Sequence, residues 1–270
     1  MKPAIGIALG NADSRVPGSM PLTFRFFRQQ FPARERLLIG GREESYAIEV
    51  RRHPAARRYT LRVREARRDV VLTMPPRGSL RQAKRFAEKN VDWIAARLQR
   101  LPQPAPFAPG ETVPLRGVPH RIVHRAGARG SVWTEAGADG TPLLCVAGGA
   151  AHIGRRARDF LKREARRDLL AASRRHAESL GVSIRSVSLR DTASRWGSCS
   201  QSGSLSFSWR LVLAPPFVLD YLAAHEVAHR VELNHSKRFW RAVERIFPEW
   251  RRAEAWLRAH GASLYRYGIE

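Results

Sequence analysis

One stretch constrains what this chain can fold into more than any other: Leu222-Ala223-Ala224-His225-Glu226-Val227-Ala228-His229, followed six residues later by His235. The pattern is His-Glu-x-x-His-x5-His. Two histidines four apart on a helix stand one turn apart on one face, so both imidazoles can bind a single metal ion. Glu226 falls beside the open side of such a site, where it can take a proton from water at the metal and hand it to a leaving group. Three neutral imidazoles leave a fourth position for that water, the feature that separates a catalytic zinc site from a closed structural one. The plain alternative is a helix with two surface histidines and an ordinary glutamate. The preceding Phe217-Val218-Leu219-Asp220-Tyr221-Leu222 argues against it. So apolar a helix is expected to be buried, and buried ionisable groups need partners.

The totals bound the rest. A chain of 270 residues with 43% hydrophobic and 9% aromatic content can bury a real core and suggests one or two domains. No apolar run reaches the length of a transmembrane helix, so no membrane partner is expected. The apolar start, Ile5 to Gly10, is too short for a secretory signal and shows no cleavage site, and Met20 is a candidate alternative start. Cys145 and Cys199 stand far apart without a CxxC spacing, which fits a reducing cytoplasm better than a disulfide scaffold. Lys plus Arg is 48 against 24 acids, a formal charge of +24. Such a balance favours polyanionic partners, so non-specific nucleic-acid or nucleotide binding through Arg-rich faces is one expectation. The bland reading is genomic: only five of the 48 bases are lysine, as a high-GC genome would produce.

Along the chain, residues 1–40 show no sustained period and are expected to be partly ordered at most. Tyr46-Ile48-Val50, Tyr59-Leu61-Val63 and Val70 to Met74 read as a three-stranded meander, with Arg58, Arg62 and Arg64 on its solvent face. Ser79 caps a helix to about Gln99, and the proline-rich run Leu101 to Gly110 connects it to further strands at Thr112–Leu115, His120–His124, Ser131–Thr134 and Leu143–Val146. From Ala151 to Leu180 one long amphipathic helix carries an apolar stripe and an arginine-rich face that is solvated by default. A hairpin follows, its returning strand alternating from Leu205 towards Leu213; Pro215-Pro216 opens the metal helix. Ser236 caps a helix to Phe247, Pro248 breaks it, and a last helix runs to His260.

The third histidine requires the helix to stop and the chain to turn back on the metal. Metzincins use this spacing but need a Gly where this chain has Glu232, and a Met-turn downstream, whereas the last methionine here is Met74. Asn234 is the residue able to take the left-handed turn the missing Gly would supply. The combination Arg195-Trp196-Gly197-Ser198-Cys199, Leu205 to Leu211, Ala214-Pro215-Pro216, Tyr221, His225-Glu226-x-x-His229 and Asn234-His235-Ser236-x-x-Phe239-Trp240 resembles the YgjP-like metallopeptidase family, allied to the SprT and WLM-type minigluzincin proteases. The resemblance is dense over about 150–265 and looser over 45–100. It implies zinc ligation by His225, His229 and His235, one Zn2+ per chain, with Glu226 as general base and a peptide or protein as substrate.

The expected architecture is α+β. It comprises a poorly ordered segment 1–40, a β-rich domain 41–148 with one helix, and a zincin-like catalytic domain 149–270. Arg195 and Trp196 are candidates to line the substrate cleft. The structural alternative puts Trp196 in the core and pairs Arg195 with Asp191 or Asp220. The strand from Leu205 is a candidate edge for pairing an extended peptide. The sequence identifies no dedicated oxyanion stabiliser; Tyr265 and Tyr267 are the candidates. If His235 is not the third ligand, Glu244 or Glu249 takes its place. Two other functional readings stand: hydrolysis of a nucleotide phosphoanhydride at the zinc, and a DNA-associated or DNA-activated protease as in the SprT group.

Overall fold

The most apolar of the early strands organises the first sheet. The computed structural model describes residues 35–40, 44–64, 68–192 and 195–268. In it β1 (Glu35–Gly40), β2 (Ser45–Arg52), β3 (Thr60–Arg64) and β4 (Asp69–Met74) form a sheet of order β1-β2-β4-β3. The expected meander is therefore corrected: β4 pairs in parallel with β2, and β3 crosses to the outer edge. Val70, Val71, Leu72 and Met74 are buried on both faces of β4, which demands an inner position, whereas β3 carries arginines an edge can solvate. Arg62 does face solvent, but Arg64 folds back on Glu49 at 2.6 Å and on Asp69. β1 lies within the segment for which no period is visible; the remainder of that segment, 1–34, lies outside the described residues.

The helix expected over 79–99 is two, α1 (Leu80–Lys89) and α2 (Val91–Gln99), because the Asn90 side chain donates to the Phe86 carbonyl at 2.7 Å and its backbone leaves the helical region. Ser79 stands at the cap position without a side-chain cap bond. Its own N–H donates instead to Tyr59 Oη at 3.0 Å.

A second sheet repeats the topology of the first. Strands β5 (Thr112–Leu115), β6 (Val118–Arg125), β7 (Val132–Ala136) and β8 (Pro142–Ala147) run in the order β5-β6-β8-β7. In both sheets the parallel inner pair joins residues 22 positions apart, Ile48 to Val70 and Arg121 to Leu143. The long helix α3 (Ile153–Leu180) follows and is stopped by Gly181, whose φ of 66° suits a residue without a Cβ.

Strands β9 (Ser186–Arg190), β10 (Gly197–Cys199) and β11 (Ser204–Ser208) make a third sheet with β11 in the middle. The returning strand of that hairpin stops at Ser208. Trp209–Leu213, expected to continue it, is a 3-10 helix with all five residues buried, and a segment enclosed on every side has no need of the two faces of a strand. Helices α4 (Pro216–Ala228), α5 (Lys237–Ile246) and α6 (Trp250–His260) complete the chain. Among the described residues this is an α+β protein with three small sheets and six α-helices, and no helix is long and apolar enough to cross a membrane.

Among the described residues, apolar side chains gather into two cores. One joins the first sheet to α1 and α2, from Ile39 to Ile94; the other runs from Phe107 to Leu264 and joins the second sheet to α3, α4, the third sheet and the C-terminal helices. The expected domain boundary at 148/149 falls inside the second core. The proline-rich connector is anchored to the end of the chain, with Ala105 exchanging backbone bonds of 2.9 Å with Arg266 and Gly268.

Candidate functional site

The site is set by a helix that is buried nearly all round. In α4 Val218, Leu219, Tyr221, Leu222, Ala223, Ala224, Val227 and Ala228 are all buried, so its two histidines and its glutamate stand in a largely dehydrated setting. Pro216 occupies the first helical position, where its missing N–H is not required. On the other side Asp220 ties α4 to α3, accepting from Arg175 and lying 2.7 Å from His176 Nε2.

The chain leaves α4 at His229 by successive tight turns: Arg230 N–H donates to Val227, and Val231 and Glu232 N–H both donate to Ala228. No left-handed residue is used. Arg68 and Arg116 are the positive-φ residues other than glycine among those described, so the turn expected at Asn234 is corrected. Ser236 then caps α5, accepting from Phe239 N–H at 3.4 Å.

This path brings His235 back onto α4. The ligand-capable nitrogens of His225, His229 and His235 lie within 4.8 Å of one another, and the Nε2 atoms of His225 and His235 are 3.0 Å apart. Phe239 of α5 packs against all three rings, with centroid distances of 4.9, 4.6 and 4.6 Å. The Nδ1 atoms face protein groups: that of His225 lies 3.4 Å from Tyr221 Oη, and that of His229 lies 3.2 Å from the Glu232 carbonyl. The Glu232 carbonyl can only accept, which puts the His229 proton on Nδ1 and leaves its Nε2 free to ligate. Burial lowers the pKa of each ring; His225 is pushed down to about 3, with His229 and His235 adding to the effect. Neutral imidazoles are the form that binds metal. Glu244 and Glu249, the alternative ligands, are exposed and face Arg251 and Arg252 instead.

Glu226 is 4% exposed, and burial pushes its carboxyl up to about 8, with the charge of Arg195 pulling the other way. The backbone of β10 lies against it. A Cβ at Gly197 would stand 2.7 and 2.8 Å from Cγ and Cδ of Glu226, so only glycine lets the strand approach so closely. The sequence alone assigns Gly197 no role. Its neighbour in space is 29 positions away, and no periodicity connects the two.

Arg195 is exposed beside Glu226, and neither anticipated acid is its partner: Asp191 accepts from Arg210 and Asp220 serves α3. Trp196 is half-buried and stacks on Tyr265 at 5.0 Å with an interplanar angle of 26°. Tyr265 Oη donates to the Thr192 carbonyl at 3.0 Å, which commits that hydroxyl to the fold, and the Tyr267 backbone carbonyl accepts from Arg210 at 2.8 Å. The anticipated edge strand is corrected as well. Leu205–Ser208 lies between β9 and β10, and the strand with an open edge next to Glu226 is β10.

The model of a family described as YgjP-like, metallopeptidase domain, matches residues 57–260 of this chain. No curated protein matches it. Among solved structures the chain is similar to the metallopeptidase zymogen abylysin of Pyrococcus abyssi, at 22% identity and a TM-score of 0.32, over 37% of this chain and 99% of that one.

Proposed function

The chain belongs to the YgjP-like metallopeptidase family, and from that premise we propose that it is a zinc-dependent peptidase with His225, His229 and His235 as the ligands and Glu226 as the general base. The observation that carries this reading is the convergence of three neutral imidazoles beside one buried carboxylate. The donor set fits the ion. A tetrahedral zinc with bonds of about 2.0–2.1 Å holds its nitrogens roughly 3.3 Å apart, and the nitrogens here lie between 3.0 and 4.8 Å of one another. Three imidazoles on one side leave a face open, as in a zincin arrangement.

Bound there, zinc supplies Lewis acidity towards a carbonyl oxygen and lowers the pKa of a water towards about 7. The rest falls to the protein. The Glu232 carbonyl holds His229 with its proton on Nδ1, the Tyr221 hydroxyl lies against Nδ1 of His225, and Phe239 packs the rings in place. Glu226 takes the proton of the attacking water on its carboxylate and delivers it to the departing nitrogen. A cation at the imidazole cluster favours the ionised carboxylate against the burial that raises its pKa, and Arg195 acts in the same direction. The open edge of β10 offers backbone groups to an extended peptide, beside the carboxylate that would act on it.

Elemental analysis tests this directly. Wild type is expected to hold one zinc per chain, His235→Ala to lose most of it, and Glu226→Gln to keep it while losing at least about 100-fold in peptide hydrolysis. Full zinc in His235→Ala removes that residue from the ligand set, and a wild type free of zinc ends the peptidase reading.

A further inference from the structure

The cleft next to the histidines bears on what such a peptidase would accept, and the inference rests on the reading above. Helices α5 and α6 line a shallow, open cleft of about 430 Å³ with Lys237, Trp240, Arg241, Glu244, Trp250 and Arg251. Trp240 joins it to the site, its ring centroid 6.0 Å from that of His225 and 6.1 Å from that of His235. The same indole stacks on Trp250 at 4.2 Å and 28°, and the Arg251 guanidinium lies over Trp250 at 4.3 Å. Two indoles thus form a rigid apolar wall that starts against the imidazoles and ends under a cation.

The polar lining is mostly positive. Lys237 and Arg241 stand one turn apart on α5, both exposed, and neither has an ion-pair partner among the described residues. Glu244 is the one acid of the lining; it is exposed and faces Arg251 at 3.5 Å, a pairing that solvent screens. An occupant that matches these walls has a short apolar stem for the indoles and a carboxylate for the cations. We propose that the cleft is a substrate subsite for an acidic side chain, a glutamate or aspartate near the scissile bond, with Trp240 and Trp250 against its stem and Lys237 and Arg241 receiving its carboxylate.

The test uses fluorescein-labelled peptides in which one glutamate is moved along an uncharged scaffold, each paired with its glutamine counterpart. Anisotropy on the full, metal-free chain reads binding, and cleavage is followed separately on the zinc-loaded chain. The best-placed glutamate is expected to bind about fivefold tighter than its glutamine twin. Lys237→Ala with Arg241→Ala brings that ratio to about one, and Lys237→Glu with Arg241→Glu inverts it in favour of a lysine peptide. Arg166→Ala with Arg174→Ala removes equal charge from the exposed face of α3 and leaves the ratio intact. No discrimination by wild type overturns the proposal, as does a preference erased equally well by the α3 pair, which would assign it to the field of the whole basic chain. The two readings fail separately. Cleavage without preference removes the subsite and keeps the peptidase, whereas preference in binding with neither peptide cut removes the peptidase and keeps an acidic-peptide site.

Discussion

Glu226 and His225 are neighbours in the chain with opposite titration behaviour. Burial raises the Glu226 carboxyl from 4.5 to about 8, so in the metal-free protein its contribution to stability is fully present below about 4.5 and is lost as pH rises towards 8. His225 is depressed from 6.5 to about 3; its contribution is present above 6.5 and is lost as pH falls through that window. Removing the carboxylate charge therefore helps most at high pH. The melting temperature of metal-free Glu226→Gln is expected to gain on wild type steadily between pH 4.5 and 8; a difference that is flat with pH would refute the buried-charge account. Gly197 sets a second test at this scale. Gly197→Ala places a methyl within 2.8 Å of the Glu226 side chain, and overpacking of this kind costs about 1–3 kcal/mol. The expected outcome is a lower denaturant midpoint and a kcat reduced at least about tenfold by displacement of the proposed base, with zinc content unchanged.

At the level of elements, the 3-10 turn Gly261–Arg266 is tied to the buried 3-10 segment Trp209–Leu213 by the side chain of Arg210. Arg210 is 6% exposed; it donates to Asp191 and to the carbonyls of Leu264 and Tyr267, and lies over the rings of Trp209 and Tyr265. Lysine keeps the charge but not the planar fork. Arg210→Lys is expected to cost about 2–3 kcal/mol by chemical denaturation and to loosen the Trp196–Tyr265 stack, visible as a shift in tryptophan emission. The elements themselves differ in how far they could be read beforehand. The stripe of α3 declares a helix by its 3.6-residue period, and α3 ends at Gly181 as expected; α4, apolar nearly all round, shows no such period and is declared by its His-Glu-x-x-His spacing. The strands were located while their order was not. Period 2 marks a strand and is silent on which partner it meets, so it does not encode the parallel inner pairs of the two four-stranded sheets.

Across the whole molecule the two cores predict two unfolding events. Ile48 is fully buried in the smaller core and shares none of the larger. Ile48→Ala removes about 2–5 kcal/mol from that unit. Calorimetry is expected to show an early transition moved down in temperature while the transition that responds to added zinc stays in place. A single transition that moves as one would show the two cores to be coupled. The repeated order of the two four-stranded sheets, with the same spacing of 22 residues across the inner pair, has no counterpart visible in the amino-acid pattern. Its strands share burial requirements and not residue types, because many apolar combinations satisfy one inner position.

What the sequence determined alone is what depends on short separations: the helix carrying His225 and His229, the carboxylate beside them, and a third histidine close enough to return. Helical geometry makes such spacings informative, since residues three or four apart must share a face. The tertiary structure decided everything that joins distant segments. It set β10 against Glu226, gave Asp191 to Arg210, stacked Trp196 on Tyr265, and placed Trp240 on Trp250 beside the histidines. These contacts follow from sheet order and helix packing, where burial selects for shape and volume, and no local spacing encodes them.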